Sequence, residues 1–261
     1  MTASTGQRLT GKTALVTGST RGLGRTVAEW LAREGARVVI NGRSADKVDR
    51  VCAEMSAAGH ATLGVAADLS TPHGAHSLAN SVLEQVDRLD ILVNNAGMSY
   101  QEPFWETTDE AFEYQTNVNY RSPFILCQYV AKHMRQHAIR GRIVNFSTIG
   151  VHSCHADRLV YDAAKGAVEV MTRNMAFELG RFGISVNTVI PGAIAVRPGA
   201  DGDTSEWRRY AQNNIPLGRV GTADDIAATV LFFCLPESGF ISGQGLLVDG
   251  AHNTWLPESN S

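Results

Sequence analysis

Seven short runs rich in β-branched residues recur along this chain: TALVTG (13–18), ARVVING (36–42), TLGVAAD (62–68), DILVNNAG (90–97), GRIVNFST (141–148), ISVNTVIPG (184–192) and GLLVDG (245–250). Between most of them lie stretches of helical period. Val27, Trp30 and Leu31 form one apolar stripe, and Ala164, Val168, Met171 and Met175 form another. Nearly continuous apolar strands alternating with helices predict an α/β fold, a seven-stranded parallel sheet covered on both faces.

No Pro/Ser-rich linker, repeat or low-complexity segment divides the 261 residues, and 44% of them are hydrophobic, so one domain over 1–261 is expected. The last gap, about 193–221, holds Pro198, Gly199, Gly202, Pro216 and Gly218 around the amphipathic SEWRRYAQNN. It reads as a loop or lid. Residues 251–261 read as a short tail or subunit contact. A formal charge of -3 gives no global electrostatic case for nucleic acid or an anionic membrane as partner. No run approaches the roughly 18 apolar residues of a membrane span, and the first residues lack a signal-like apolar core. Four dispersed cysteines suggest neither a metal site nor a disulfide framework. These features together predict a cytoplasmic protein.

TGSTRGLG (17–24) sits between a strand and a helix. A helix N-terminus offers unpaired N–H groups and a positive dipole end, both suited to a pyrophosphate. Gly18 permits the turn, Gly22 keeps a side chain away from the phosphates, and Gly24 lets helix and strand pack closely. The spacing, G-x-x-x-G-x-G, differs from the G-x-G-x-x-G dinucleotide fingerprint. Tyr161 and Lys165 in YDAAK are four apart, hence on one helical face. A phenol near pKa 10 that exchanges protons near neutrality needs a strong preference for phenolate, and a nearby ammonium is a direct source of it.

With TGSTRGLG, NNAG at 94–97 and YDAAK at 161–165 in this order and spacing, the chain resembles the short-chain dehydrogenase/reductase family over about residues 8–250, in its 3-oxoacyl-acyl-carrier-protein-reductase-like branch. The resemblance implies a Rossmann-type doubly wound fold, a nicotinamide cofactor, a homotetramer and a Tyr161–Lys165 catalytic pair. It also implies a cofactor site built from Gly18, Thr20, Arg21, Gly22, Leu23 and Gly24, from Asp68 and Leu69, from Asn95, Ala96 and Gly97, from Tyr161 and Lys165, and from Pro191, Gly192 and Ile194 near the nicotinamide.

In such a site an acid at the end of the second strand would accept from the 2′-hydroxyl of NAD. Gly42 stands there and Arg43 follows. Arg43, with Arg21 as a second cation, suits a 2′-phosphate, so the expected cofactor is NADP(H). The plainer reading is that both are solvated surface residues. Asp68 reads either as the family's adenine contact or as a helix cap or turn residue. The adjacent asparagines of NNAG imply a structural hydrogen-bond network as well as a ribose contact.

The family's carbonyl-orienting serine falls thirteen positions before the tyrosine, where this chain has Thr148, preceded by Ser147. Adjacent strand residues face opposite ways, so Thr148 is expected to take the role. A non-catalytic strand threonine is the alternative. Asn119 matches the family asparagine that holds a helix bend and a proton-relay water, and Asn117 is the competing candidate. Two further departures are Val196, where a threonine often holds the carboxamide, and VDGA at 248–251.

The stretch after Thr148 supplies Gly150, His152, His155, Asp157 and Arg158, and the lid adds Trp207 among polar residues. Gly150, His152, His155 and Trp207 are candidate substrate contacts, although each histidine taken alone reads first as a solvated loop residue. The polar lining suggests a small-molecule ketone or secondary alcohol such as a sugar, cyclitol or secondary metabolite. A 3-oxoacyl thioester on acyl carrier protein, docked on Arg135, Arg140, Arg142 and Arg181, is the alternative substrate. An NADP-binding sensor or scaffold without turnover is the rival from another class, with no metal required in any of these readings.

Overall fold

The computed structural model describes residues 7–196 and 205–254. The seven apolar runs form β1 (Thr13–Val16), β2 (Arg37–Gly42), β3 (Thr62–Ala66), β4 (Ile91–Asn94), β5 (Arg142–Phe146), β6 (Ser185–Pro191) and, last in chain order, β9 (Gly245–Val248). All pair in parallel in the order β3-β2-β1-β4-β5-β6-β9. The order reverses between β1 and β4, opening a crevice at their C-terminal ends where ligands bind in sheets of this kind. The crossovers carry α1 (Gly22–Arg33), α2 (Ala45–Ala57), α3 (Pro72–Leu83), α4 (Asp109–Thr116), α5 (Ser122–Gln136) and α6 (Leu159–Leu179).

The strand period of two sorts the core into two layers. Ala14 and Val16, Val38 and Ile40, Ile91 and Val93 and Val144 face a layer containing Val27 and Leu31 of α1 and Val48 and Val51 of α2. Leu15, Val39, Leu92 and Ile143 face the other, with Leu78 of α3, Leu126 of α5, and Val168 and Met171 of α6. Helix starts follow local chemistry. Ser44, Thr71 and Thr108 cap α2, α3 and α4 by accepting from backbone N–H groups, and Pro72 fills the first turn of α3.

The gap read as a lid begins with β7 (Ile194–Ala195), which pairs in parallel with β8 (Gly221–Thr222). SEWRRYAQNN forms α7 (Ser205–Asn214), and α8 (Ala223–Cys234) follows under a Thr222–Asp225 capping box, packing into the α1 layer. Residues 197–204, including the lid's Arg197, Pro198, Gly199, Asp201 and Gly202, lie outside the described residues, as does 255–261 of the tail. None of the described helices is long and apolar enough to cross a membrane.

Candidate active site

The glycine loop joins β1 to α1. Gly18 and Gly22 adopt φ of +63° and +55°, which only glycine takes without strain. A β-carbon on Gly24 would stand 2.5 Å from the Gly18 carbonyl oxygen, so close packing demands its absence. Leu23 packs its side chain into the α1 core layer, leaving its backbone to the loop. Arg21 occupies the cap position of α1 without a side-chain cap, and the first turn holds no acid. The first N–H groups of the helix are thus left to a bound anion. A β-carbon on Gly22 would meet nothing closer than Val196 at 4.0 Å. This open, uncapped turn fits a dinucleotide pyrophosphate.

Thr20 lies over the end of β2, where a β-carbon on Gly42 would be 2.6 Å from its Cγ2. The contact places Arg21 and Arg43, the residues that follow each of these, at one lip of the crevice. Both are exposed. Asp68 is also exposed, and its Oδ1 accepts from Ser70 N at 3.0 Å, a turn role, while Thr71 is the helix cap. Leu69 is buried, its carbonyl accepting from Ser122 Oγ at 2.7 Å.

Asn94 is buried and donates to Asn145 Oδ1 at 2.8 Å; Asn145 donates to Thr172 Oγ1 at 2.9 Å, and Thr188 reaches the same hydroxyl at 2.8 Å. This chain links β4, β5, α6 and β6 beneath the crevice. Asn95 Nδ2 donates to the Thr17 carbonyl at 2.8 Å, and Ala96 N donates to Thr17 Oγ1 at 3.0 Å, tying the end of β4 to the glycine loop. On the far side Gly192 abuts Asp249, Pro191 closes β6, and Ile194 packs its side chain against the core.

Ser147 and Thr148 lie just past β5, and because the backbone is still extended at Thr148 they face opposite ways. Ser147 Oγ donates to Glu169 Oε1 on α6 at 2.6 Å. The Thr148 hydroxyl instead accepts from Gly150 N at 3.4 Å and lies close enough to the Tyr161 phenol to favour its ionised form. Lys165, one turn on, is 2% exposed and its Nζ lies 5.8 Å from the Tyr161 ring centroid. A β-carbon on Gly97 would stand 3.2 Å from Asn119 Oδ1 and 3.6 Å from Lys165 Nζ, so these three residues converge.

Asn119 lies in a π-helical turn, Asn117–Arg121, and its Nδ2 donates to the carbonyls of Met98 (2.6 Å) and Gln115 (2.8 Å) while Oδ1 accepts from Met98 N. Such a turn frees backbone carbonyls that a side chain then satisfies. Asn117 instead bonds Arg121 on the surface. The bend therefore belongs to Asn119.

In the cofactor-free protein burial pushes the Tyr161 phenol up to about 12, with the neighbouring Thr148 hydroxyl pulling the other way. Burial likewise pulls Lys165 down to about 8. Each group loses water and is shifted toward its neutral form.

The substrate-side histidines each meet a carboxylate. His152 is exposed, in keeping with a solvated loop residue, while its Nε2 lies 3.1 Å from Glu169 Oε1. His155 Nδ1 lies 3.0 Å from Asp162 Oδ1, and its backbone N donates to Oδ2 of the same carboxylate. Both groups crowd Gly150, which has no room for a side chain. Trp207 sits edge-on to Tyr210, which meets His252 in the same manner.

Other residues emerge only here. Glu102 N donates to the Asp157 carbonyl at 2.7 Å, bridging the segment after β4 to the loop before Tyr161. Along that bridge Ser99 Oγ and Glu102 Oε2 are buried without a partner among the described residues. Glu169 holds residues on both flanks of Thr148. A signal for Glu169 existed, since it lies four positions after Lys165 on the same helical face; none marked Ser99 or Glu102.

A family model described as enoyl-(acyl carrier protein) reductase matches residues 18–252. The chain is 38% identical over 242 residues to (2S)-[(R)-hydroxy(phenyl)methyl]succinyl-CoA dehydrogenase subunit BbsD of Thauera aromatica, covering 93% of this chain and 96% of that one. It is 33% identical over 242 residues to L-rhamnose 1-dehydrogenase (NADP(+)) of Thermoplasma acidophilum, covering 92% and 95%. The structure of a gluconate 5-dehydrogenase from Burkholderia cenocepacia in complex with NADP and tartrate superposes with a TM-score of 0.88 at 30% identity, covering 95% and 98%.

Proposed function

This chain belongs to the short-chain dehydrogenase/reductase family, and on that premise we propose that it is an NADP(H)-dependent oxidoreductase interconverting a ketone and a secondary alcohol on a polar small molecule. The observation that carries the reading is the convergence of Tyr161, a buried Lys165 and Asn119 at the crevice, with the Thr148 hydroxyl beside the phenol. Cofactor identity is supported by the absence of an acid at Gly42, by Arg21 and Arg43 on one lip, and by the NADP named for two of the similar proteins.

When bound, the nicotinamide supplies the hydride to the carbonyl carbon. Thr148 holds the carbonyl oxygen against the phenol, and Tyr161 gives that oxygen its proton as negative charge develops. Lys165 offsets the charge left on the phenolate. Asn119 fixes the bend and the Met98 backbone beside the lysine, and a proton from solvent restores the phenol. The α1 N-terminus, with the Thr17–Asn95 stitching, holds the pyrophosphate end.

A polar substrate is favoured by the unpartnered Ser99 and Glu102 oxygens and by the sugar-type substrates in the names of two similar proteins. The thioester alternative has less support. Arg142 is engaged by the Arg140 and Gly141 carbonyls, and Arg135 and Arg181 lie over the Phe182 ring. The reading extends to a cytoplasmic homotetramer. Its supports are four free cysteines and exposed apolar side chains at Phe124 and Phe177 beside the α5–α6 groove and at Phe232, Phe240 and Leu246 near the β9 edge.

The test is NADPH oxidation against polar ketones, aldonates and sugars, quinones and 3-oxoacyl thioesters, with Tyr161→Phe as the blank. Turnover of a polar ketone that vanishes in the variant is expected. Turnover equal in both proteins would overturn the assignment of Tyr161. Tight NADPH binding without any Tyr161-dependent turnover would favour the sensor reading.

A further inference from the structure

The cation assigned to the 2′-phosphate has a neutral partner. Arg43 Nη1 donates to Tyr114 Oη on α4 at 3.2 Å, across 71 positions of sequence. Among the described residues no carboxylate stands within ion-pair reach of Arg43. Tyr114 is itself held: its ring stacks on Tyr100, with centroids 5.5 Å apart and planes at 19°. Tyr100 N in turn donates to the buried Gln115 Oε1 at 3.0 Å.

We propose that Tyr114 is a positioning residue for the 2′-phosphate of NADP(H), holding the Arg43 guanidinium in place without neutralising it. The inference rests on the NADP(H) reading of the same site. A long exposed side chain loses rotamer freedom when it grips a ligand, so a scaffold that restricts it beforehand strengthens binding. A carboxylate would do this too, but it would cancel the charge and repel the phosphate. A phenol orders the arginine and leaves its charge intact. Two guanidinium nitrogens other than Nη1 remain to receive phosphate oxygens. The position of Arg43, directly after Gly42 and opposite Arg21 across the Thr20 contact, puts this ordered cation at the adenosine end of the crevice.

Tyr114→Phe keeps the stacked ring and removes only the hydroxyl. Calorimetric titration with adenosine 2′,5′-bisphosphate and with 5′-AMP, which differs only in lacking the 2′-phosphate, isolates the contribution of that group without any turnover. The variant is expected to bind the bisphosphate about three- to ten-fold more weakly, an effect of the size seen when one ordered side chain is freed, and 5′-AMP as before. Arg43→Ala should lose more, and the double variant no more than Arg43→Ala alone. Unchanged bisphosphate affinity in Tyr114→Phe, or an equal loss for both ligands, overturns the role of Tyr114. If Arg43→Ala also leaves the preference intact, the Arg43 assignment falls with it; if Arg43→Ala alone abolishes it, only the role of Tyr114 is lost.

Discussion

The hydroxyl of Thr148, thirteen positions before Tyr161, lies close enough to the phenol to oppose the upward shift that burial imposes on it. Its neighbour Ser147, the residue type expected in that role, is turned to Glu169 beneath the sheet end. Thr148→Val keeps shape and strand propensity but removes the hydroxyl, and should lower kcat by about 10²-fold or more. Thr148→Ser should retain most of it. Steady-state kinetics decide this, and a valine variant close to wild type would remove Thr148 from the mechanism.

Glu169 Oε1 accepts from Ser147 and lies against His152, so one carboxylate holds both flanks of Thr148. Glu169→Ala leaves the buried Ser147 hydroxyl only the Lys165 carbonyl at 3.5 Å and should destabilise the fold by about 1–3 kcal/mol. It should also lower kcat while NADPH affinity stays unchanged, because the glycine loop is untouched. Urea unfolding and NADPH titration read the two effects; an unaltered midpoint would mean that the clamp contributes nothing.

Lys165 is buried and held near pKa 8 against an ordinary 10.5. Below pH 8 the folded chain must enclose a charge that the unfolded chain keeps in water. Between about 8 and 10.5 only the unfolded chain keeps the proton, so stability rises with pH through that window. Lys165→Met should therefore stabilise the cofactor-free protein at pH 7 by roughly 3 kcal/mol, with the gain shrinking above pH 8. Denaturant curves at pH 7 and pH 10 check the sign; a less stable variant at pH 7 would contradict it.

An acid at position 42 is the obvious route to NADH use, yet its β-carbon would press on Thr20 Cγ2 at 2.6 Å. Threonine is stiff at χ1 and has little room to turn away. Gly42→Asp alone should weaken NADPH binding without creating NADH binding, whereas Gly42→Asp with Thr20→Gly should accept NADH. Should the single variant bind NADH as tightly as the pair, Thr20 is no obstacle.

Some of this protein was legible before any coordinates. The seven strands and the α1 and α6 stripes follow from periods of 2 and 3.6, which neighbouring residues impose on one another. The positive-φ glycines at 18 and 22 and the Tyr161–Lys165 spacing are of the same local kind. Alternation along a strand was even enough to separate Thr148 from Ser147.

What the chain alone determined is thus the α/β architecture and the chemistry carried by residues a few positions apart. Tertiary structure decided the partners: Glu169 for His152, Asp162 for His155, Tyr114 for Arg43, and Asp157 for the backbone of Glu102. It also decided how burial shifts Tyr161 up and Lys165 down. The reason is physical. Local periodicity depends on backbone geometry within a turn or two, whereas these contacts depend on how the crossovers lay strands side by side, and on how much water that packing removes.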